Sequence, residues 1–372
     1  MGQKKGTLAS IAAELGVSRT TVSNAYNRPE QLSPELREKI FAVARARGYT
    51  GPDPMARSLR TRRVGAIGVI LTEHVSYAFE DQASIDFLAG LGESSAGANT
   101  ALTLIPLGPS ETGEISPLIA SALVDGFVVY SVPHGEPHLE AVQARGLPVV
   151  VCDQPYPDGD VAFVGIDDRE AIKPAARALV GAGHRRIGIV GKRLFKDAAR
   201  DGAVTKAEVK AADMHAQRAR VLGALDVFEE AGINDVPIVT RHFNDYGSAM
   251  DAARELFALA PDLTAVLCTT DSMALGVLEY CLEHGLDVPG DISITGFDGV
   301  EWALARGLTT VIQPNKQKGA TVGKVLSELV ESSLIDASPH LPRLTLPTRF
   351  SPGQTVGPPR ASEGTVPSLP PS

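Results

Sequence analysis

The chain is poor in cysteine and in aromatic residues. Three cysteines, Cys152, Cys268 and Cys281, stand far apart among 372 residues, and Phe, Tyr and Trp make up 5% of the composition. An odd number of widely spaced cysteines does not build a disulfide framework, so we expect reduced thiols and a cytoplasmic location. The chain also lacks a secretion signal and any run of about 18 apolar residues, so we expect no membrane-spanning form.

Common enzyme motifs are absent as well. The run GIVGKR at 188–193 contains the Gly-Lys pair of a P-loop. It lacks a glycine five residues before that pair's glycine and the Ser or Thr after the lysine, and no G-x-S-x-G elbow occurs in the chain. His134 and His138 have a spacing typical of metal ligands on a helix, but Pro133 and Pro137 favour a surface loop there. The sequence therefore predicts no catalysis, no metal site and no cofactor.

Charge is divided unevenly along the chain. Residues 1–63 hold 12 Lys and Arg against 5 Asp and Glu, a balance of +7, whereas the remainder holds 23 against 39, a balance of −16. A basic end on an acidic chain is typical of a segment that binds a polyanion such as nucleic acid. The length suits two or three domains.

Residues 7–27 have the pattern of a helix-turn-helix. Thr7 can cap a first helix that Gly16 ends, and Ser18 can cap a second helix. The outward face of that second helix then carries Arg19, Thr20, Ser23, Asn24 and Asn27. Arg and Asn can bind base edges in the major groove, and hydroxyls reach phosphates, so this face can bind DNA. An ordinary surface helix in a small bundle is the alternative.

Two further helical segments follow. Residues 34–47, capped by Ser33, predict a third helix, and residues 53–60 predict a short fourth one. A helix of about seven residues lies well below the roughly 12–15 needed for marginal stability in water. The fourth segment should therefore fold only against a partner.

Several motifs stand in register along this region: V-S-x-x-T-V-S-x-x-x-N at 17–27, R-E-K at 37–39, G-Y at 48–49 and A-R-S-L at 56–59. With them, residues 7–60 resemble the headpiece and hinge of the lac repressor (LacI/GalR) family. The resemblance implies base contacts from Arg19, Thr20 and Asn24, and phosphate contacts from Ser18, Thr21, Ser23 and Asn27. It also implies DNA binding by Ala56 and Leu59, with Leu59 as a minor-groove wedge.

From residue 64 onward, short apolar runs alternate with helical stretches. The runs are 64–71, 101–107, 126–130, 148–152, 186–191, 265–269 and 292–297. Strands buried on both faces require such runs, so the alternation predicts an α/β core of doubly wound parallel sheets. The spacing predicts two sheets with a break near Gly165, and a ligand beyond the carboxyl ends of the strands.

The segments DGFVV, GHRRIGIVG, TTDSMALGVL, DISITGFDG and LTTVIQP resemble the periplasmic-binding-protein-like core of the same family. The resulting domain prediction is a helix-turn-helix headpiece at 1–52, a hinge helix and linker at 53–63, an N-terminal core subdomain at 64–164 with 315–332, and a C-terminal core subdomain at 165–312 with 333–350. Residues 351–372, rich in Pro, Ser and Gly, are expected to be a disordered tail.

Candidate effector-binding residues follow the predicted strands. They are Thr72, Tyr77 and Phe79 after the first strand, Asp153 after the fourth, and Thr270, Asp298 and Gln313 after three later runs. The R-x-R at Arg218 and Arg220 resembles the family's effector clamp, with Arg220 the better match. The carboxylates could instead cap helices, and either Arg could form a solvated ion pair. Residues 192–215 form a longer charged loop than most relatives have, either over the cleft or in solvent.

These features predict a transcriptional regulator, by the family's habit a repressor, that binds a pseudo-palindromic double-stranded operator as a homodimer or higher oligomer. A small effector in the core cleft would either release or recruit it. Because Thr270 stands where many sugar-responsive members have Asn, the effector is not named beyond a sugar or related polyhydroxy compound, favoured over a purine or nucleoside. A ligand-binding module whose N-terminal bundle makes only protein contacts is the alternative from another class.

Overall fold

The computed structural model describes residues 6–51, 58, 61–71, 78–106, 117–135, 137–156, 159, 161–335 and 340–360. Its packing separates a small N-terminal unit that ends at Gly65 from a large unit that begins at Ala66. The two units are described in turn.

The N-terminal unit contains three helices, as predicted. They are α1 (Leu8–Leu15), α2 (Arg19–Asn27) and α3 (Pro34–Ala46), with a 3₁₀ turn at Pro29–Gln31. Thr7 and Ser18 cap α1 and α2 by accepting from backbone N–H groups, and Gly16 ends α1 with a positive φ of 65°. The core is formed by Ile11, Ala12, Val22, Ala25, Ile40 and Ala44. This packing turns the polar residues of α2 away from the bundle.

The large unit is built from strands and helices that alternate along the chain. The strands are β1 (Ala66–Leu71), β2 (Ala101–Pro106), β3 (Phe127–Tyr130), β4 (Val149–Cys152), β5 (Ala162–Gly165), β6 (Ile187–Lys192), β7 (Gly202–Ala203), β8 (Ile238–Arg241), β9 (Ala265–Cys268), β10 (Ser293–Thr295), β11 (Thr310–Ile312), β12 (Arg343–Thr345) and β13 (Arg349–Ser351). The helices are α4 (Gln82–Gly97), α5 (Pro117–Ser121), α6 (Pro137–Ala144), α7 (Asp168–Gly181), α8 (Lys206–Lys210), α9 (His215–Glu230), α10 (Tyr246–Leu259), α11 (Asp271–Glu283), α12 (Glu301–Ala305) and α13 (Asn315–Leu334).

Two sheets form the two core subdomains, which confirms the predicted α/β class. The first has the order β12-β5-β4-β3-β1-β2 and is parallel throughout. The second has the order β10-β9-β6-β8-β7, parallel except for β7. Helices cover the sheets, and α4 packs so closely on α13 that a Cβ at Gly90 would lie 1.9 Å from the Lys316 carbonyl oxygen. Parallel strands buried in this way need the continuous apolar runs seen in the sequence.

The assignment of 333–350 to the C-terminal subdomain is wrong for β12. Leu344 pairs with Val164, so β12 extends the first sheet at the edge formed by β5. The chain then returns to the second subdomain, where β13 pairs antiparallel with β11. A three-residue strand carries too little sequence pattern to identify its partner, which the tertiary packing decides.

The expected disorder of the tail is wrong for residues 351–360. Thr355 is buried, and its carbonyl accepts from Ile294 N at 2.8 Å. Its hydroxyl donates to the Ile294 carbonyl at 2.7 Å and accepts from Thr309 N at 2.9 Å. Backbone and hydroxyl hydrogen bonds hold this segment even though it has little apolar surface to bury. Residues 361–372 lie outside the described part of the chain.

Two local expectations also need correction. His138 is buried in the first turn of α6, since Pro137 begins that helix, where its missing N–H is no loss. The segment 192–215 is not simply a loop, because it contains a 3₁₀ turn at Ala198–Arg200, β7 and α8.

The three cysteines are free and buried, in agreement with reduced thiols. None of the helices in the described part of the chain could cross a membrane.

Candidate effector cleft and DNA-binding face

A cavity of about 70 Å³ lies between the two core sheets. Leu71, Tyr130 and Asp153 reach it from the carboxyl ends of strands in the first sheet, and Lys192 and Thr270 from those in the second. Parallel strands of an α/β sheet present their carboxyl ends as the usual ligand site. The volume is enough for several waters, at roughly 10–15 Å³ each, or for part of a small ligand.

Arg220, on α9, is the centre of a buried ionic cluster beside this cavity. Its Nε donates to Asp168 Oδ1 at 2.7 Å, and its Nη1 donates to the Thr269 carbonyl at 2.9 Å and to Asp298 Oδ1 at 3.4 Å. The guanidinium also stacks over the Phe297 ring, 3.9 Å from its centroid. Since these contacts fix the plane of the guanidinium, Arg220 is a rigid part of the cavity wall.

Asp298 is held in an uncommon conformation and environment. Its φ is 120°, a region that residues with a Cβ rarely adopt. Burial raises the pKa of Asp298 to about 7, although Arg220 opposes this increase. Gln313 Nε2 donates to its Oδ1 at 2.5 Å. Near neutral pH, the Asp298 carboxyl can therefore either accept or donate toward a ligand.

Lys318, on α13, connects the Asp153 carboxylate to this cluster. Its Nζ donates to Asp153 Oδ1 and Oδ2 at 2.9 and 2.6 Å, and to Gln313 Oε1 at 2.8 Å. Burial opposes its charge, but Asp153 raises the pKa of Lys318 above the ordinary lysine value. The Gln313 amide is therefore oriented at both ends, with its oxygen toward Lys318 and its nitrogen toward Asp298.

A second polar connection joins the subdomains through Asp81, which caps α4. Asn244 Nδ2, from the C-terminal subdomain, donates to Asp81 Oδ1 at 2.9 Å, and Lys192 Nζ lies 3.9 Å from Oδ2. Thr270 donates to Asn244 Oδ1 at 2.6 Å and also caps α11. Burial opposes the charge of Asp81, but Lys192 and hydrogen bonds from Ser84 and Asn244 lower its pKa.

The DNA-binding candidates on α2 lie away from the headpiece core. Arg19 and Thr20 are exposed, and Ser18 accepts from Thr21 N at 3.0 Å. The longer polar side chains are oriented locally, since Asn24 Nδ2 donates to Gln31 Oε1 and Asn27 Nδ2 donates to the Ser23 carbonyl and hydroxyl. Ala56 and Leu59, the hinge candidates, lie outside the described residues.

Comparison with known proteins agrees with this architecture. The family model "Bacterial regulatory proteins, lacI family" matches residues 7–51, and the "Periplasmic binding protein-like domain" matches residues 176–356. The transcriptional regulator IpsA of Corynebacterium glutamicum is 53% identical over 365 residues, which cover 96% of this chain and 100% of that protein. This chain belongs to the LacI family. It is therefore a transcriptional regulator and not an enzyme, as the sequence predicts.

Two solved structures share the fold of this LacI-family regulator. The lac repressor dimer bound to operator and the anti-inducer ONPF has a TM-score of 0.75 at 21% identity. The match covers 95% of this chain and 100% of the repressor chain. The complex of the transcriptional regulator CelR with cellobiose has a TM-score of 0.67 at 24% identity. The match covers 94% of this chain and 99% of the CelR chain. At these identities the likeness concerns the fold alone.

Of the predicted effector-binding residues, Asp153, Arg220, Thr270, Asp298 and Gln313 line the cavity of this LacI-family core. Arg218 and Phe79 do not: Arg218 donates to the Ala212 carbonyl at 2.9 Å, and Phe79 is 56% exposed. Side chains at positions i and i+2 of a helix point about 200° apart around its axis, so Arg218 and Arg220 cannot both face the cleft. Thr72 and Tyr77 lie outside the described residues.

Several lining or supporting residues were not predicted. They are Asp81, Lys192, Arg193, Gln217, Asn244 and Lys318. One signal could have found Gln217, because residues three apart share a helix face and Gln217 precedes Arg220 by three. Lys318 precedes a helical stripe that is apolar from Val322 to Val330, and a charge at such a position marks a buried group with a partner elsewhere.

Proposed function

We propose that this regulator binds a pseudo-palindromic operator as a homodimer and represses transcription, and that a sugar or related polyhydroxy compound in the core cleft switches it. The observation that carries the proposal is the buried network from Asp168 through Arg220, Asp298, Gln313 and Lys318 to Asp153, because six polar groups in and beside one cavity are fixed in a single geometry. Such preorganisation is typical of a ligand site.

The polar face of α2 supports the DNA part of the proposal. Arg19 can pair bidentately with guanine and Asn24 with adenine, while Ser18 and Thr21 have hydroxyls suited to phosphates. The lac repressor, which shares this fold, was solved as a dimer bound to operator. Two headpieces held by a symmetric core dimer would read two half-sites at a fixed spacing.

The chemistry of the cleft favours a polyhydroxy ligand over a purine. Hydroxyl groups both donate and accept, which suits a wall that presents carboxylates and a guanidinium together. Among the described lining residues, Tyr130 is the aromatic one, and its ring stacks on Phe87 at 4.0 Å. A flat base would therefore find little free aromatic face there. CelR, a neighbour in fold, was solved with the sugar cellobiose.

Coupling between the cleft and DNA would act through the hinge at 53–63. In this proposal, effector binding changes the angle between the core subdomains and so changes the free energy of folding the two hinge helices together. A coupling of about 1–3 kcal/mol would change operator affinity roughly 5–150-fold. The direction, release or recruitment, follows from whether the effector favours the subdomain angle at which the hinges pair.

A thermal-shift screen of the full chain tests the effector. Monosaccharides, disaccharides, sugar phosphates, purines and nucleosides are compared, since a ligand selective for the native state raises the melting temperature. A sugar hit should then change operator affinity, whose sign identifies an inducer or a corepressor. A hit confined to purines or nucleosides would replace the sugar with the alternative effector class.

Salt dependence tests the DNA part. With an operator selected from random duplexes, the logarithm of affinity should fall against the logarithm of salt with a slope of about −0.9 per neutralised phosphate. Arg19→Ala should weaken specific binding by about 1–3 kcal/mol. Arg45→Ala removes the same charge at an exposed position of α3 and should weaken specific binding less. Weak, salt-insensitive binding would favour a bundle that makes only protein contacts.

A further inference from the structure

Gln217 belongs to the polar wall of the cavity. It lines the cavity from α9 with 6% of its surface exposed, yet its Oε1 is buried with no hydrogen-bond partner among the described residues. Buried acceptors in native proteins are nearly always paired, and one left unpaired costs free energy. A ligand donor in the cavity would provide the missing partner.

The position of Gln217 on its helix brings it to the same cavity as Arg220. The two residues are three apart on α9 and both line the cavity, while Arg218 between them faces the Ala212 carbonyl. Arg220 is already fixed by Asp168, Asp298 and the Thr269 carbonyl. A ligand group that reaches this wall therefore meets a rigid cation beside a free acceptor.

A second buried glutamine shows what a purely structural role looks like. Gln154 is fully buried, and both ends of its amide are used within the protein. Its Oε1 accepts from Ala216 N at 2.9 Å, and its Nε2 donates to Ser131 Oγ at 3.0 Å. Since Ala216 and Ser131 also line the cavity, Gln154 provides a matched comparison within the same site.

We propose that Gln217 is a specificity-determining residue of the effector site, whose amide oxygen accepts a hydrogen bond from a hydroxyl of the bound compound. This inference rests on the proposed polyhydroxy effector. A site that offers such a buried acceptor discriminates against an analogue lacking the matching hydroxyl, because the acceptor is then left unpaired. Gln217 thus selects among compounds of similar size by the position of one hydroxyl.

The ligand-free protein gives the first test, with Gln217→Met and Gln154→Met as a pair. Methionine has nearly the same length and shape without the amide. Gln217→Met should leave the melting temperature unchanged or raise it, because an unpaired polar group is removed. Gln154→Met should lower it by roughly 2–6 °C, because it strands paired groups. An equal loss in the two variants would overturn the proposal.

Titration calorimetry with sugars gives the second test. The probes are D-glucose, cellobiose and other unmodified sugars that raise the melting temperature of the wild-type chain, together with their monodeoxy analogues. Gln217→Met should bind the parent sugar roughly 2–10-fold more weakly, the effect of one hydrogen bond. For one monodeoxy analogue, wild type and variant should bind alike. Equal affinity of wild type and variant for every parent sugar would overturn the proposal.

The two tests separate the inference from the function on which it rests. If no sugar raises the melting temperature of the wild-type chain, the proposed effector class fails. The ligand-free comparison still decides the role of the Gln217 amide, since it needs no ligand. A stable Gln217→Met variant would then indicate that the Gln217 amide oxygen accepts a hydrogen bond from a ligand of another class. A destabilised variant would overturn a ligand-binding role for this amide.

Discussion

Lys318 donates to both carboxylate oxygens of Asp153, with Nζ 2.9 Å from Oδ1 and 2.6 Å from Oδ2. The Lys318 side chain is 1% exposed and the Asp153 side chain 11%, so the lysine is shielded from water while the carboxylate reaches the cavity. It joins α13 to the end of β4, and Gln313 extends the connection to Asp298 of the other subdomain. Asp153, Lys318, Gln313 and Asp298 therefore belong to one network rather than acting as separate side chains.

Removing the lysine of this pair should be strongly destabilising. Lys318→Met leaves Asp153, whose side chain is 11% exposed, without its partner, and the free energy of unfolding should fall by about 3–5 kcal/mol in urea denaturation. Lys318→Met combined with Asp153→Asn should recover much of this loss. Lys316→Met, which removes an exposed lysine from the same helix, should cost less than about 1 kcal/mol. Equal stability of Lys318→Met and wild type would refute a coupled pair.

Stability should depend on pH through Asp298. Because burial raises its folded-state pKa to about 7 from 3.8, the native state holds a proton that the unfolded state has lost. Its contribution to stability is complete below the unfolded pKa and is lost as pH rises through 7. Burial lowers the pKa of His242 to about 4, which has the opposite effect below pH 6.5, so the part of the Asp298 window that is free of this effect is its upper end, from pH 6.5 through 7.

Urea denaturation between pH 6.5 and 8 measures this dependence. The free energy of unfolding of the wild-type chain should decrease across that range, and Asp298→Asn, which cannot ionise, should flatten the slope. Asp262→Asn, at an exposed surface site paired with Arg186, should leave the slope unchanged. A wild-type slope that Asp298→Asn does not alter would assign the effect to other groups.

Ser18 should have two separable roles in the headpiece. It caps α2 through Thr21 N, so Ser18→Ala should lower headpiece stability by about 1 kcal/mol. Ser18→Asp preserves a cap acceptor and should remain as stable as wild type, but it places a negative charge where the resemblance predicts a phosphate. Operator affinity measured by fluorescence anisotropy should therefore fall for Ser18→Asp. Unchanged affinity would mean that Ser18 is a cap alone.

The segment after β13 should contribute to the stability of the core. Thr355→Val keeps the side-chain shape but leaves Thr309 N and the Ile294 carbonyl without the hydroxyl, so thermal or urea unfolding should show a loss of about 1–3 kcal/mol. Thr345→Val, exposed on β12, is the matched control and should change little. Equal effects at the two positions would argue against an integral C-terminal segment.

The sequence by itself determined the elements whose signals are local. Capping residues and apolar spacing located the three headpiece helices, and continuous apolar runs located most core strands, because each signal arises within a few neighbouring residues. The same local logic put Asp153, Thr270, Asp298 and Gln313 at strand ends, where the cavity lies. The resemblance to LacI proteins added the order of the domains.

The tertiary structure alone decided which distant groups meet. Pairing of β12 with β5, burial of Thr355, and the Lys318–Asp153 contact join residues far apart in the chain, and short segments carry no local signal for such partners. The resemblance favoured Arg220 over Arg218, and the rotation of α9 against the sheet places Arg220 at the cavity and Arg218 at the Ala212 carbonyl. Packing and the need to pair every buried polar group settle these contacts, and both act across the whole fold.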